Sequence, residues 1–220
     1  MNYVVLGAGP AGVTAAETLR SLDNNATITV IGGEEEPQPY SRMAIPYYIY
    51  GKIGEEGTYL RQQPGHYEEL RIKYRVGRCG GIDPAAHKIY LSGGETVPYD
   101  KLLIATGASP IIPRMPGSNL DGVQTCWTLN DSREILKHAH KGAPVVLVGA
   151  GFIGSIILEA LYLRGCKITI VEFAPRMVAR MMDETAGGML GRWCKNKGVD
   201  VRVSTKVEGI REGSDAPGAK

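Results

Sequence analysis

The chain has 220 residues, 43% hydrophobic and 22% charged, which is enough for one large domain or two small ones. Its net charge of +2 gives no bulk electrostatic pull toward nucleic acid. No apolar run approaches the ~20 residues of a membrane span, and the short apolar N-terminus lacks the basic flank of a secretory signal.

Residues 2–6, including Tyr3-Val4-Val5-Leu6, read as a buried parallel strand. Gly7-Ala8-Gly9-Pro10-Ala11-Gly12 follows, and residues 10–22 read as a helix with small or apolar residues at Ala11, Ala15, Thr18, Leu19 and Leu22. The β-branched run 26–31 reads as the next strand. Residues 33–66 look irregular, with Ser41 to Tyr50 a short helix or ordered loop near a ligand. Turn signals at Gly80-Gly81, Asp83-Pro84 and Gly93-Gly94 predict a small antiparallel insert over 74–104. Leu102-Leu103-Ile104-Ala105 closes it as a buried strand. Pro110, Pro113 and Pro116 mark an extended connector. A helix is predicted over 132–141, with Asn130 and Asp131 as cap candidates. The strand-turn-helix pattern then recurs: a buried strand 145–149, a helix 152–164, a strand 167–172, a helix 184–197 and a strand 199–204. Residues 213–218 read as a turn or linker.

The second recurrence carries Gly149-Ala150-Gly151-Phe152-Ile153-Gly154. In G-x-G-x-x-G the first glycine permits the turn, the second lets backbone approach a pyrophosphate, and the third lets helix and strand pack closely. The helix N-terminus then offers free N–H groups and partial positive charge to phosphate. Pro10 suits a first helical turn. One such motif is a weak signal. Two, each between a strand and a helix, point to a protein that holds two dinucleotides.

An acid at the end of the second strand of each unit binds a ribose diol. Glu172 ends the run 167–171 and lies 23 residues after Gly149. A carboxylate there favours a free 2′-hydroxyl, so NADH is expected over NADPH. Arg176 either blurs that preference or is a surface arginine. In the first unit the expected acid positions hold Gly32 and Gly33, and the acids arrive at Glu34, Glu35 and Glu36. Glu34 is taken as the ribose ligand; the alternative is a solvated acidic turn. Cys79, Cys126, Cys166 and Cys194 contain no C-x-x-C pair. Reduced structural cysteines of a cytoplasmic protein are expected, with no metal site.

These stretches resemble the FAD-dependent pyridine nucleotide oxidoreductases, the two-dinucleotide flavoproteins, over nearly the whole chain. Gly7–Gly12 resembles the family's FAD pyrophosphate loop, and 99–107 (Tyr-Asp-Lys-Leu-Leu-Ile-Ala-Thr-Gly) the close of its first FAD segment. The resemblance implies an α/β fold of two Rossmann-type, three-layer dinucleotide-binding domains with the antiparallel insert. These are an FAD domain over 1–110 and an NAD(H) domain over 111–220, the latter incomplete at its C-terminus. FAD falls to Gly7, Gly9, Pro10, Ala11, Gly12, Glu34, Glu35, Ala105, Thr106 and Gly107. Arg42 of Tyr40-Ser41-Arg42 matches an arginine that reaches FAD phosphates, and Cys79 falls where backbone meets the adenine. NADH falls to Gly149, Gly151, Phe152, Ile153, Gly154 and Glu172. Within the family the chain most resembles ferredoxin and rubredoxin reductases and nitrite-reductase-like NADH dehydrogenases. The resemblance implies that FAD takes a hydride from NADH and passes electrons to a separate protein or small-molecule acceptor. No side chain then serves as nucleophile or base; Tyr47 and Tyr48 are candidates to shield the flavin, or are ordinary core.

Three departures from the family pattern stand out. Met43 occupies the place of the single redox cysteine in disulfide-type relatives, and a thioether cannot become a thiolate. Tyr47 and Ile156 stand where a lysine and a glutamate often pair in the electron-transfer branch. Both charges are lost together, so neither is left unpaired. Lastly, relatives continue past the position of Lys220 with a second FAD segment and an interface domain. A missing C-terminal segment or a partner chain is therefore expected.

Overall fold

In the computed structural model, which describes residues 1–35 and 37–213, side-chain alternation along the first strand sets the layering. β1 (Asn2–Leu6) leads into α1 (Pro10–Leu22) and β2 (Thr27–Gly32). Val5 packs with Val13, Ala16, Ile28 and Val30 on the α1 side. Val4 and Leu6 point the other way and pack with Ile31, Ile89, Leu91 and Val97. The period of two in a strand thus puts an apolar core on each face of one sheet.

The remaining elements are α2 (Ile45–Tyr50), α3 (His66–Glu69), β3 (Ile72–Val76), β4 (Cys79–Asp83), β5 (Lys88–Leu91), β6 (Thr96–Pro98), β7 (Lys101–Ile104), α4 (Leu129–His138), β8 (Pro144–Val148), α5 (Phe152–Leu163), β9 (Lys167–Val171), α6 (Glu184–Asn196) and β10 (Asp200–Arg202). The chain divides into two compact units, Met1–Ser41 with Glu55–Ser109, and Arg42–Gly54 with the chain from Pro110 onward.

The first unit holds a parallel sheet in the order β3-β2-β1-β7 and an antiparallel sheet in the order β4-β5-β6. Val5 pairs with Val30 on one side and Leu103 on the other. Two expectations need correction here. Residues 74–76 do not belong to the antiparallel insert: they lie in β3, which pairs parallel with β2 from Ile28–Ile72 to Gly32–Val76. β7 forms as expected, but it is not buried. Leu103 is 39% and Ile104 60% exposed, because β7 ends the sheet and only its Leu102 packs against a core cluster among the described residues.

The second unit is built on a parallel sheet in the order β10-β9-β8. Ile157, Leu158, Ala160 and Leu161 of α5 are buried together with Ile168 and Ile170 of β9. β8 also departs from the buried reading: Val146 and Val148 are exposed on the end strand. α4 begins earlier than expected. Thr128, rather than Asn130 or Asp131, is its N-cap: the Thr128 hydroxyl accepts the Asp131 N–H, and the Asp131 carboxylate accepts the Thr128 N–H, both at 3.1 Å. Residues 214–218 of the stretch read as a turn or linker lie outside the described residues.

Candidate functional site

The chain leaves β1 through Gly7, whose φ of +109° lies where L side chains are strained. A Cβ on Gly7 would overlap the Ala105 carbonyl oxygen, and one on Gly12 the Gly7 carbonyl oxygen. The Ala105 N–H donates to the Leu6 carbonyl at 2.7 Å, which draws Ala105, Thr106 and Gly107 alongside the loop. Gly9 differs, since a Cβ there would meet nothing within 4 Å. Gly9 is also the N-cap of α1, with no side-chain cap and no acid in the first turn. The helix therefore begins at Pro10 and Ala11 with its positive end uncompensated and facing open space.

Past the end of β2, Glu34 is exposed and hydrogen-bonded. Its carboxylate accepts the Tyr40 phenol at 2.9 Å, and its backbone carbonyl accepts the Tyr74 phenol at 2.7 Å. Burial, with Glu34 beside it, pushes the Tyr74 phenol above its ordinary pKa, which keeps it a donor. Glu35 is exposed. Arg78 lies along Gly33, its guanidinium carbon 3.5 Å from where a Cβ would sit. Cys79 follows, exposed, its thiol donating to the Gly81 carbonyl at 3.5 Å. That Tyr40, Tyr74 and Arg78 gather here carries no sequence signal, because the segments meet only in the fold.

The second loop repeats the first. Gly149 has φ +99°, a Cβ on Gly154 would overlap the Gly149 carbonyl oxygen, and Cβ atoms on Gly149 and Gly151 would meet nothing within 4 Å. Gly151 caps α5 without a side-chain hydrogen bond, and the first turn holds no acid. Phe152 and Ile153 stand half-exposed on that turn. Glu172 is bonded at both oxygens: one accepts the Ala150 N–H and the other the Ala174 N–H, each at 2.7 Å. The Ala150 carbonyl accepts the Val178 N–H at 2.8 Å, and Val178 is held at φ +52°, a costly conformation for a β-branched residue. Arg176 is committed elsewhere, donating to the Ala179 carbonyl at 3.3 Å and the Met182 carbonyl at 3.1 Å. These bonds tie its own loop together.

Arg42, Tyr47 and Tyr48 belong to the second unit. The Arg42 guanidinium stacks 4.6 Å over the Trp127 ring. Tyr47 is half-exposed on α2, with the Lys52 ammonium 5.5 Å above its ring, and Tyr48 is less exposed. Met43 is exposed. Three of the thiols are held protonated: burial pushes Cys126 up to about 12, and raises Cys166 and Cys194 as well. Among the described residues no cluster of His, Cys, Asp and Glu could hold a metal, and no helix is long and apolar enough to cross a membrane.

A groove of about 790 Å³ runs between α1 and β7, lined by Tyr3, Thr14, Ala15, Thr18, Leu19 and Leu103 among others. It opens beside the uncovered edge of β7.

Comparison with known proteins agrees with this geometry. The family model described as pyridine nucleotide-disulphide oxidoreductase matches residues 1–219. An NADH oxidase of Methanocaldococcus jannaschii is 33% identical over 96% of this chain and 48% of its own. The ferredoxin–NAD(+) reductase component of a Burkholderia cepacia anthranilate 1,2-dioxygenase system is 33% identical over 95% of this chain and 52% of its own. The solved NAD-dependent persulfide reductase of A. fulgidus superposes with a TM-score of 0.88 at 29% identity, covering 96% of this chain and 41% of that one. The chain spans about half the length of the curated relatives it matches.

Proposed function

The chain belongs to the pyridine nucleotide-disulphide oxidoreductase family, and from that premise we propose that it is the two-nucleotide portion of an FAD-dependent oxidoreductase. The enzyme takes hydride from NADH to FAD and passes electrons to a separate acceptor, an iron protein or a small molecule. One observation carries the reading. Each unit has an uncapped, acid-free helix N-terminus facing open space at Gly9 or Gly151, with a hydrogen-bonded carboxylate after the following strand, Glu34 two residues past β2 or Glu172 directly after β9. Two such cradles fit two pyrophosphates and two ribose diols.

In this reading residues 1–110 hold FAD and residues 111–220 hold NADH. Gly7, Gly9, Pro10, Ala11, Gly12, Ala105, Thr106 and Gly107 accommodate the FAD pyrophosphate. Glu34 takes its ribose, with Glu35 beside it, and backbone near Cys79 meets the adenine. Arg42 reaches FAD phosphate, and Tyr47 and Tyr48 shield the ring. Gly149, Gly151, Phe152, Ile153, Gly154 and Glu172 hold NADH, and the commitment of Arg176 to its own loop supports NADH over NADPH. The bound cofactors would supply the hydride and one-electron chemistry; the protein orients them and keeps water out. No thiolate is needed. Met43 stands at the redox position, and three of the four cysteines are held as thiols by burial. The protein works in the cytoplasm.

A second reading is a nucleotide-binding subunit or fragment without independent turnover. The uncovered β7 edge and the groove beside α1 support it, since a further segment or partner chain would complete the first unit there. The visible spectrum of purified protein, taken before and after anaerobic NADH, separates the two. A flavin band bleached by NADH supports the enzyme; a colourless protein that still binds NADH supports the subunit.

A further inference from the structure

We propose that Tyr40 and Tyr74 are positioning residues that bring a displaced carboxylate, Glu34, back to the ribose of the first dinucleotide. The inference rests on the reading of the first glycine loop as the FAD site.

The usual place for the ribose acid is the end of β2, where this chain has Gly32 and Gly33. Gly32 ends β2, and a Cβ on it would overlap the Tyr74 phenol oxygen, with the Ala8 Cβ 3.0 Å away. A side chain at Gly32 would have to displace the Tyr74 phenol, Gly33 supplies no carboxylate either, and the first carboxylate arrives at Glu34, in a loop. An exposed loop glutamate would sample many rotamers and lose entropy on ordering. One phenol restrains the side chain and another the backbone. Tyr40 donates to the Glu34 carboxylate at 2.9 Å, and Tyr74 donates to the Glu34 carbonyl at 2.7 Å. The hydroxyl that lies against Gly32 thus also holds the backbone of Glu34.

Both phenols are themselves anchored. Tyr40 bridges to Tyr59, and its neighbours are pinned where the Ser41 N–H donates to the Thr58 carbonyl at 2.9 Å and the Leu60 N–H to the Pro39 carbonyl at 2.8 Å. Tyr74 is fixed in β3 opposite Val30, and its ring lies 5.4 Å from that of the buried Tyr67. Tyr67 is flanked by His66, whose Nε2 bonds Glu17 at 2.8 Å, and Arg61 grips the same carboxylate twice at 2.7 and 2.8 Å. The brace therefore ends in α1, the helix whose N-terminus faces the phosphate site.

The test has two readouts. The first is the FAD dissociation constant, from flavin fluorescence quenching, for wild type, Glu34→Ala, Tyr40→Phe, Tyr74→Phe and each tyrosine variant combined with Glu34→Ala. A phenol lost from a carboxylate or carbonyl should weaken binding on the order of tenfold in the Glu34 background, and little further when Glu34 is already gone. Tyrosine losses that persist undiminished without Glu34 overturn the brace. A Glu34→Ala chain that binds FAD like wild type sinks the reading of Glu34 instead. The second readout is amide hydrogen exchange in ligand-free protein. Tyr74→Phe should speed exchange around Gly33–Glu35 and leave β1 and β2 protected. Unchanged exchange overturns the brace even if the wild type takes up no flavin.

Discussion

Replacing Glu172 with alanine removes one carboxylate from two backbone amides, and the consequence can be sized from the geometry. The Ala150 and Ala174 N–H groups each reach a Glu172 oxygen at 2.7 Å. A hydrogen bond to a charged group contributes about 1.5–3 kcal/mol net. The site is only partly buried, so water can replace part of each bond, and we expect about 2 kcal/mol for the pair. With a typical urea dependence of about 2 kcal/mol per molar, the unfolding midpoint falls by about 1 M. Both tryptophans, Trp127 and Trp193, lie in the second unit, so intrinsic fluorescence reads that unit. Glu172→Gln keeps one oxygen acceptor and should fall about halfway. Each carboxylate oxygen has a second lone pair, so the same residue remains able to take ribose hydroxyls. Both variants should therefore weaken NADH and narrow its advantage over NADPH. An unchanged midpoint would refute the structural part of this reasoning. An unchanged NADH/NADPH ratio would refute the ribose assignment.

Gly12→Ala should abolish measurable FAD uptake, because the new Cβ meets the Gly7 carbonyl oxygen, a backbone atom that cannot move aside; Gly154→Ala should do the same to NADH through the Gly149 carbonyl. Isothermal titration of each variant with both nucleotides checks that each loss is confined to its own site. Cys126 supplies a pH prediction. Burial raises its folded pKa from 9.0 to about 12, so the unfolded thiol ionises first. Its contribution to stability is whole below pH 9.0 and is lost as pH rises toward about 12. Cys126→Ser should flatten that alkaline decline in tryptophan-monitored melts, and an unaltered slope would assign the decline to other groups.

The parts legible in the sequence were those written in short stretches of chain. Each glycine loop, with its strand before and helix after, fits within about 30 residues, and turn chemistry and hydrophobic period specify it without distant help. The same holds for Glu172, which a β-branched run carries to the end of β9. The sequence misassigned what depends on distant partners. Residues 74–76 have a strand's composition wherever they pair; only packing on β2 makes them parallel rather than part of the insert. β7 and β8 have the apolar runs of buried strands, yet they end their sheets with exposed faces among the described residues. Arg176 reads along the chain as blurring the preference for NADH or as a surface arginine, and its bonds to Ala179 and Met182 exist only in the fold. Glu34 is the sharpest case. Three successive acids at 34–36 gave the residue type and the neighbourhood. Only the fold brings Tyr40, from one loop, and Tyr74, from β3, within hydrogen-bonding distance of Glu34. Local backbone preference is a property of neighbouring residues and can be read along the chain. The choice among equivalent polar groups is made by segments far apart in sequence, and it exists only once packing has brought them within hydrogen-bonding distance.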